Sequence, residues 1–459
     1  MSEPHHFERT ILREYDVRGT VGKDLGERDA LAIGRGFGTM IRRRGGSSVS
    51  VGRDGRVSSP ALEAALLEGL SQSGLSIRRI GVGPTPMLYY ATVTAPTDAG
   101  IMVTGSHNPP DQNGFKMMIF GQPFYGADIQ EMARIAGSGD YVLGTGRVTE
   151  VAVQSDYVAR LAADYGPGRG LAVGWDAGNG AAGAALVDLV RRLPGRHVLL
   201  NERIDGTFPA HHPDPTDPDT LEQLIALVRA EKLDLGIAFD GDGDRIGVVD
   251  GRGRILWGDQ LMVFFGAEIL SRRPGATIIA DCKASQILFD EIARLGGKPL
   301  MWRTGHSLIK VKMAETGAPL AGEMSGHIFF KDGYYGFDDA LYAAVRLLAI
   351  LSREHRSLAE MRDALPTAVN TPELRFACTA ERKFAVVDEV KARLTKKGAT
   401  FNDVDGVRVR TADGWWLLRA SNTQEVLVAR CESADEDGLA RLKHELTEQL
   451  RASGVGLPK

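Results

Sequence analysis

Short apolar runs alternate with helical patterns along most of this chain, and this alternation restricts the fold more than any other feature. The run at residues 48–52 precedes a helix-like segment at 60–73, and comparable runs recur at 100–103, 171–175, 235–239 and 276–280. Continuous apolar strands between helices are typical of parallel sheets that helices cover on both faces. The alternation predicts an α/β architecture, in which ligand loops lie beyond the carboxyl ends of strands.

The tail of the chain has a different pattern. From about Thr371, strands are predicted together with two helices; the strands lie at 373–377, 407–410, 415–419 and 426–430, and the helices at 382–397 and 435–452. Strands grouped with two helices favour an α+β module. Because 459 residues exceed what one hydrophobic core organises, two to four domains are expected.

Composition excludes several classes of partner and environment. A net charge of −4 provides no electrostatic reason to bind nucleic acid or an acidic membrane. The most apolar stretch, residues 341–351, is too short to span a bilayer. The cysteines, at positions 282, 378 and 431, are odd in number and far apart, as expected for free thiols in a reducing cytosol. Residues 1–10 lack the apolar core of a signal peptide. We therefore expect a cytoplasmic protein, with its oligomeric state left open.

Three aspartates alternate with glycines directly after the run at 235–239. Carboxylates at Asp240, Asp242 and Asp244 can converge, and hard oxygen donors suit Mg²⁺. A calcium EF-hand loop does not fit, because its glycine position is Arg245 and its bidentate glutamate position is Gly251. Since three neighbouring aspartates repel one another without a cation, this loop predicts a metal site.

Two further loops also follow one apolar run and precede another. Ser106 lies in a sharp Asn-Pro-Pro turn after residues 100–103, where an incidental serine is the alternative interpretation. Glu323, Ser325 and His327 lie on a glycine-containing loop, and their mixture of donors and acceptors suits a polyol. A loop histidine satisfied by its neighbours is equally compatible with that pattern. The recurrence predicts three related α/β units that offer one loop each to a shared cleft.

The tail contributes a loop of hydrogen-bond donors after its strand at 415–419. Arg419, Ser421, Asn422 and Thr423 can all donate to phosphate oxygens, although a solvated turn explains the same residues. Two other segments add candidates: Tyr15 and Arg18 near the start of the chain, and His306, whose imidazole suits proton transfer near neutral pH.

A glycine pattern at 178–183 follows a strand and precedes a helix, with Glu202 at the end of the next strand. This is the arrangement of a dinucleotide-binding turn. It leaves the other loops unexplained, and the same glycines are needed wherever a strand turns tightly into a packed helix. We favour the structural interpretation.

Taken in order, the motifs resemble those of the α-D-phosphohexomutase superfamily, and most closely its bacterial phosphomannomutase/phosphoglucomutase group. The matching motifs are Tyr-Asp-Val-Arg-Gly, Thr-Gly-Ser-His-Asn-Pro-Pro, Asp-Gly-Asp-Gly-Asp-Arg, Thr-Gly-His-Ser, Gly-Glu-Met-Ser-Gly-His and Arg-Ala-Ser-Asn-Thr. The resemblance implies three mixed α/β domains and a C-terminal TATA-binding-protein-like α+β domain around a central cleft. The expected boundaries are 1–152, 153–254, 255–367 and 368–459.

The resemblance also implies residue roles. Ser106 is expected to carry a phosphoryl group and to bind Mg²⁺ with Asp240, Asp242 and Asp244. The residues expected around the reacting phosphate are Arg18, His107, Lys116, Arg245 and His306. The residues expected to hold the sugar and its second phosphate are Tyr15, Lys283, Glu323, Ser325, His327, Arg419, Ser421, Asn422 and Thr423. The choice of general base between His306 and Lys116 stays open.

The activity implied is the reversible interconversion of hexose 1-phosphate and hexose 6-phosphate, with mannose or glucose as the sugar. It would proceed through a phosphoserine and a hexose 1,6-bisphosphate, which also acts as activator. The alternatives are a phosphoglucosamine mutase, a metal-dependent sugar phosphatase and a phosphosugar-binding protein. One departure from the family pattern is Gln424-Glu425 after the phosphate loop, which puts the rigidity of that turn in doubt.

Overall fold

A computed structural model describes residues 3–422 and 424–456 of the chain. Its strands form four sheets that follow one another along the chain. The first three contain both parallel and antiparallel strand pairs, and the fourth is antiparallel. The predicted class, three mixed α/β units followed by an α+β module, is confirmed. The boundaries after residues 152, 254 and 367 stay predictions.

The first domain is built on a seven-stranded sheet. Its strands are β1 (Val17–Thr20), β2 (Ser48–Arg53), β3 (Ser76–Val82), β4 (Ala99–Val103), β5 (Gln112–Ile119), β6 (Gln122–Pro123) and β7 (Arg147–Glu150). Its helices are α1 (Glu27–Arg43), α2 (Ser59–Gln72), α3 (Thr85–Thr94) and α4 (Ala127–Ser138). The strand β4 is buried along its whole length, as its continuous apolar sequence requires.

The second and third domains follow with smaller sheets. The second contains α5 (Gln154–Ala163), β8 (Leu171–Asp176), α6 (Gly183–Val190), β9 (Gly195–Leu200), α7 (Glu222–Ala230), β10 (Leu235–Phe239), β11 (Ile246–Asp250) and β12 (Ile255–Leu256). The third contains α8 (Gly258–Arg272), β13 (Thr277–Asp281), α9 (Gln286–Arg294), β14 (Lys298–Trp302), α10 (His306–Thr316), β15 (Leu320–Gly322), β16 (Ile328–Phe330), α11 (Ala340–Arg353) and α12 (Leu358–Asp363).

The same four-strand arrangement occurs in all three domains. The strand orders β5-β4-β2-β3, β11-β10-β8-β9 and β16-β15-β13-β14 are equivalent. The parallel pairing that the apolar runs indicate has one exception in each sheet, because β5, β11 and β16 run antiparallel to their neighbours. Each antiparallel strand returns directly from a candidate loop, so the three loops are hairpin connections at equivalent edges of three sheets.

The fourth domain has an antiparallel sheet and two long helices. Its elements are β17 (Val369–Asn370), β18 (Leu374–Ala377), α13 (Ala380–Lys396), β19 (Phe401–Asn402), β20 (Val407–Thr411), β21 (Gly414–Ala420), β22 (Val426–Ser433) and α14 (Glu436–Ala452). Its core, around Trp416, Leu418 and Leu427, is separate from the core shared by the second and third domains. A small apolar cluster of Cys282, Trp415 and Leu417 and a hydrogen bond from Arg408 to Cys282 O join this domain to the third.

Helix α11 lies at the centre of the shared core, with every residue from Ala340 to Ser352 buried. Trp175 of β8 and Phe330 of β16 belong to the same cluster. The loops of the second and third domains are therefore held against one another by continuous packing. Among the described helices, none combines the length and apolarity that crossing a bilayer requires.

Candidate active site

Ser106 lies in the hairpin loop between β4 and β5 and has a left-handed backbone, with φ +50°. This conformation costs a non-glycine residue about 1–2 kcal/mol. Hydrogen bonds hold it: Ser106 N donates to Thr104 Oγ1 over 2.9 Å, and Arg56 Nη2 donates to Ser106 O over 2.7 Å. The Ser106 side chain is buried, and its hydroxyl donates to Asp240 Oδ2 over 3.0 Å.

Arg56 and Asp54, which the motif analysis missed, support the serine loop. The fully buried Arg56 guanidinium donates to the carbonyl oxygens of Ser106, Asn108 and Gln112, at 2.7, 2.6 and 3.0 Å. Asp54 Oδ2 accepts from Gly105 N over 3.0 Å and lies 3.2 Å from Arg56 Nε. The available signal was the Asp-Gly-Arg sequence at the carboxyl end of β2, the edge where ligand loops are expected.

The three aspartates of the hairpin between β10 and β11 are fully buried beside this serine. Lys116 Nζ, from β5, lies 2.7 Å from Asp242 Oδ2 and also contacts Asp244 Oδ2. The two loops approach so closely that a Cβ at Gly241 would lie 2.3 Å from Ser106 O. Only glycine fits there.

The electrostatics of this group fit a divalent cation. Burial and the neighbouring Asp242 and Asp244 raise the pKa of Asp240 well above its usual value. Burial opposes the charge of Lys116, yet the two carboxylates beside it keep its pKa well above the ordinary range. Ligand oxygens of the three aspartates lie within 4.8 Å of one another, and Asp242 Oδ1 is buried without a hydrogen-bond partner among the described residues. A site with three carboxylates and one ammonium can bind a metal ion through oxygen.

The hairpin between β15 and β16 faces the aspartates. Glu323 Oε1 accepts from Gly305 N over 2.7 Å, and its Oε2 lies 2.8 Å from His327 Nδ1. Ser325 Oγ is 3.3 Å from the same nitrogen, and Arg245 Nε lies 3.2 Å from His327 Nε2. Although burial lowers the pKa of His327, the carboxylates of Asp244 and Glu323 together outweigh it and raise the pKa to about 9. Residues predicted on two separate loops, the aspartate loop and the hairpin between β15 and β16, therefore form one network of polar contacts.

Arg18, His107 and His306 also lie at this cleft. Arg18 donates to Gly105 O, and His107 Nδ1 is 3.3 Å from Ser106 Oγ. His306 begins α10, with its ring centroid 5.7 Å from that of His327. Burial and nearby cations lower the pKa of both His107 and His306 well below the usual value. Both imidazoles are therefore neutral near neutral pH.

The fourth domain reaches the first across the cleft. Asn422 Nδ2 donates to Tyr15 OH over 2.6 Å, and the hydroxyl in turn donates to Thr304 O over 3.0 Å. Arg419 Nε donates to Asp405 Oδ2 over 2.8 Å. Lys283 Nζ donates to Glu373 Oε2 over 3.1 Å, and its charge also interacts with Arg419. Thr423 lies outside the described residues.

Lys383, also missed from sequence, supports the predicted phosphate loop. It is buried on α13 and donates to Ser421 O over 2.6 Å and to Gln424 O over 2.9 Å. Gln424 N donates to Ser421 Oγ over 3.2 Å. The turn is thus held by a lysine from an adjacent helix, which explains how it keeps its shape despite the Gln424-Glu425 departure.

The glycine turn at 178–183 has a packing role. A Cβ at Gly183 would lie 2.0 Å from Glu202 O, and one at Gly180 would lie 2.9 Å from Gly241 O. The turn therefore lets α6 approach the neighbouring loops, which agrees with the structural interpretation of its glycines.

Comparison with known proteins identifies the family. Models of the four phosphoglucomutase/phosphomannomutase domains match residues 9–141 (alpha/beta/alpha domain I), 155–253 (domain II), 257–369 (domain III) and 373–449 (C-terminal domain). A phosphomannomutase/phosphoglucomutase of Pseudomonas aeruginosa is 44% identical over 449 residues, covering 98% of this chain and 97% of that protein. A phosphoglucomutase of Neisseria meningitidis serogroup A is 41% identical, with 95% and 96% coverage.

Solved structures agree. A phosphoglucomutase/phosphomannomutase family protein from Burkholderia thailandensis has a TM-score of 0.93 at 43% identity, covering 99% of this chain and 100% of that one. The four domains occur in family order, and the similarity extends over the whole chain. The chain belongs to the phosphoglucomutase/phosphomannomutase family.

Proposed function

We propose that this protein is a phosphohexomutase that interconverts hexose 1-phosphate and hexose 6-phosphate, with mannose or glucose as the sugar. The observation that carries the proposal is the position of Ser106, whose hydroxyl contacts Asp240 in a buried three-aspartate loop. The names of the relatives, phosphomannomutase/phosphoglucomutase and phosphoglucomutase, support the same reaction class. An intramolecular phosphotransferase needs both the serine and the aspartate loop, since the serine must accept and return a phosphoryl group.

In the proposed reaction, phosphorylated Ser106 transfers its phosphoryl group to the free hydroxyl of a hexose phosphate. The hexose 1,6-bisphosphate reorients in the cleft, and Ser106 takes back the other phosphoryl group. Arg18, Lys116 and Arg245 surround this position and compensate the charge that develops on the phosphoryl oxygens. Added hexose 1,6-bisphosphate would act as activator, because it phosphorylates the serine of an unmodified chain.

Asp240, Asp242 and Asp244 are the residues proposed to hold Mg²⁺, together with Ser106. When bound, this ion would neutralise phosphoryl charge and orient the oxygens of the phosphoserine. The support is the all-oxygen chemistry of the donor set, which suits Mg²⁺ better than a softer metal.

The structure favours an imidazole over Lys116 as proton acceptor. The ammonium of Lys116 is held by two buried carboxylates, which stabilise its charged form. His306 is neutral, whereas the raised pKa of its neighbour His327 keeps that ring protonated, so the His306 imidazole is the proposed base for the sugar hydroxyl. Lys116 is then left with an electrostatic role.

The remaining predicted residues are proposed to hold the sugar. Glu323 and Ser325 would contact its middle hydroxyls, which occupy similar positions in both orientations of the bisphosphate. Arg419, Ser421 and Asn422 would bind the phosphate that is not reacting, with help from Tyr15 and Lys283. The contact between Asn422 and Tyr15 supports closure of the fourth domain over the substrate.

The test is ³¹P NMR of the purified protein with mannose 1-phosphate, Mg²⁺ and a trace of glucose 1,6-bisphosphate. Formation of the 6-phosphate supports the mutase, whereas inorganic phosphate would identify a metal-dependent phosphatase. No reaction would contradict mannose as substrate, and the same assay with glucose 1-phosphate and glucosamine 1-phosphate then separates the remaining mutases from a binding protein. The cytoplasmic location stays a prediction, supported by three cysteines in thiol form.

A further inference from the structure

Beside the three-aspartate loop lies a second group of buried donor atoms that the proposed reaction does not use as a unit. Asp244, His327 and Asp338 can each bring one ligand atom within 4.8 Å of the others, and all three side chains are buried. Asp244 comes from the second domain, while in the third domain His327 directly precedes β16 and Asp338 pairs with Phe329 of that strand. The group is therefore assembled at a domain junction.

In both carboxylates of this group one oxygen pairs with a lysine, and the other faces an imidazole nitrogen at 3.3 Å (Asp244 Oδ1 to His327 Nε2) or 3.6 Å (Asp338 Oδ2 to His306 Nδ1) without forming a hydrogen bond. Lys116 pairs with Asp244 Oδ2, and Lys310 Nζ lies 3.0 Å from Asp338 Oδ1. Within the described part of the chain, Asp244 Oδ1 and Asp338 Oδ2 are buried and have no hydrogen-bond partner. Since a buried carboxylate oxygen without a partner is costly, these two oxygens point to a ligand that carries positive charge.

The orientation of His327 matches that of a metal ligand. Its Nδ1 lies 2.8 Å from Glu323 Oε2, and its Nε2 lies 3.3 Å from Asp244 Oδ1. Histidines that bind metals commonly donate their second ring N–H to a carboxylate, which leaves the other nitrogen free to coordinate. Arg245 Nε, 3.2 Å from Nε2, is the group that a cation would displace.

A fourth donor lies next to this group. His306 Nδ1 is 3.6 Å from Asp338 Oδ2 and is itself buried without a hydrogen-bond partner among the residues described. His306 and Lys310 also line a cavity of about 180 Å³ between the first and third domains. The cavity therefore adjoins the group through His306 and Lys310.

We propose that Asp244, His327 and Asp338 form a second cation site, with His306 beside it, that takes a borderline transition-metal ion such as Zn²⁺ or Co²⁺. These ions prefer mixed imidazole and carboxylate ligands at low coordination number, whereas Mg²⁺ prefers oxygen ligands in octahedral geometry. Binding of this ion to the second site does not depend on whether the proposed mutase activity is correct. If that activity holds, occupancy inhibits the enzyme, because the ion immobilises His327 and shares Asp244 with the Mg²⁺ site.

The experiment counts tightly bound Zn²⁺ by competition with a chelating dye in a large excess of Mg²⁺. It compares the wild-type protein with Asp338→Asn, with His327→Gln and with the matched control His212→Gln, which removes an exposed imidazole. We expect the wild type to bind one Zn²⁺ per chain. In both ligand variants the dissociation constant for this Zn²⁺ should rise at least about tenfold, whereas the control should bind it as tightly as the wild type. If Asp338→Asn does not fold, as judged by circular dichroism, His327→Gln makes the same comparison.

Two results would overturn the inference. One is a wild-type protein that binds no Zn²⁺ when Mg²⁺ is in excess, because Zn²⁺ then occupies only the three-aspartate loop. The other is equal Zn²⁺ binding by the wild type and both ligand variants. Repeating the titration with Co²⁺ adds a spectroscopic readout: strong visible bands support a low-coordinate site with nitrogen ligands, and the weak bands of octahedral all-oxygen Co²⁺ contradict it.

Discussion

The guanidinium of Arg56 donates to the carbonyl oxygen of Ser106 over 2.7 Å, although fifty positions separate the two residues. This bond holds the serine in its left-handed backbone conformation, close to the three-aspartate loop. The position of the proposed nucleophile thus depends on a buried cation that has no role in the chemistry itself.

Arg56→Lys should lower kcat by about 100-fold while the protein stays folded. Lysine keeps the charge but cannot bridge three carbonyl oxygens with one planar group, and a misplacement of about 1 Å is enough for such a loss. Steady-state kinetics and circular dichroism measure the two effects. Arg410→Lys, on β20 of the fourth domain, is the control, and equal activity of the two variants would contradict the positioning role.

Ser106→Ala should reduce turnover by about a thousandfold or more, because it removes the oxygen that carries the phosphoryl group. Intact-mass spectrometry after incubation with hexose 1,6-bisphosphate should detect phosphorylation of the wild type and none of the variant. Activity close to that of the wild type would rule out Ser106 as nucleophile.

Asp242→Asn should raise the Mg²⁺ concentration for half-maximal activity by about tenfold or more, because one anionic ligand is lost. An Mg²⁺ titration of activity, with Asp413→Asn on the surface of the fourth domain as control, tests this. The same half-maximal concentration in all three proteins would remove the loop from the metal site. Treatment with a chelator should abolish wild-type turnover, and added Mg²⁺ should restore it.

Lys383→Ala should raise KM about tenfold with a smaller change in kcat. Without its two hydrogen bonds to the carbonyl oxygens of Ser421 and Gln424, the phosphate-binding turn becomes less ordered. Lys396→Ala removes an exposed lysine from the same helix and should leave KM unchanged. A purely structural role would instead lower the thermal midpoint without affecting KM.

Asp339→Asn should make the stability of the protein less dependent on pH. Burial raises the Asp339 pKa to about 7, against 3.8 in the unfolded chain. A raised acid pKa contributes stability that is fully present below the unfolded value and is lost as the pH rises through the folded value. Between pH 5 and pH 8 the free energy of unfolding of the wild type should fall by about 3 kcal/mol more than that of the variant.

Asparagine can keep the contacts of Asp339 with Tyr157, Tyr334 and Tyr342 N, since its amide both donates and accepts. Thermal denaturation of both proteins at pH 5 and pH 8 measures the difference. Parallel losses in the two proteins would assign the pH dependence to other groups.

The three candidate loops were predictable because their chemistry is local. Asp240, Asp242 and Asp244 alternate with glycines directly after a buried strand, and the loops of Ser106 and Glu323 repeat that arrangement. The strands themselves were located to within a few residues, since each apolar run is continuous. What the pattern could not specify was the direction of the strand after each loop, because an apolar run reads the same in parallel and antiparallel pairing.

The sequence by itself determined the fold class, the order of the loops and the family. Only the tertiary structure decided which residues support them: Asp54 and Arg56 under Ser106, Lys383 under the phosphate turn, and Asp338 beside His327. It also paired Lys116 with two aspartates, which favours an imidazole as base. The physical reason is that these contacts join segments far apart in the chain, so they depend on how sheets and helices pack and on which way each side chain points, neither of which local spacing encodes.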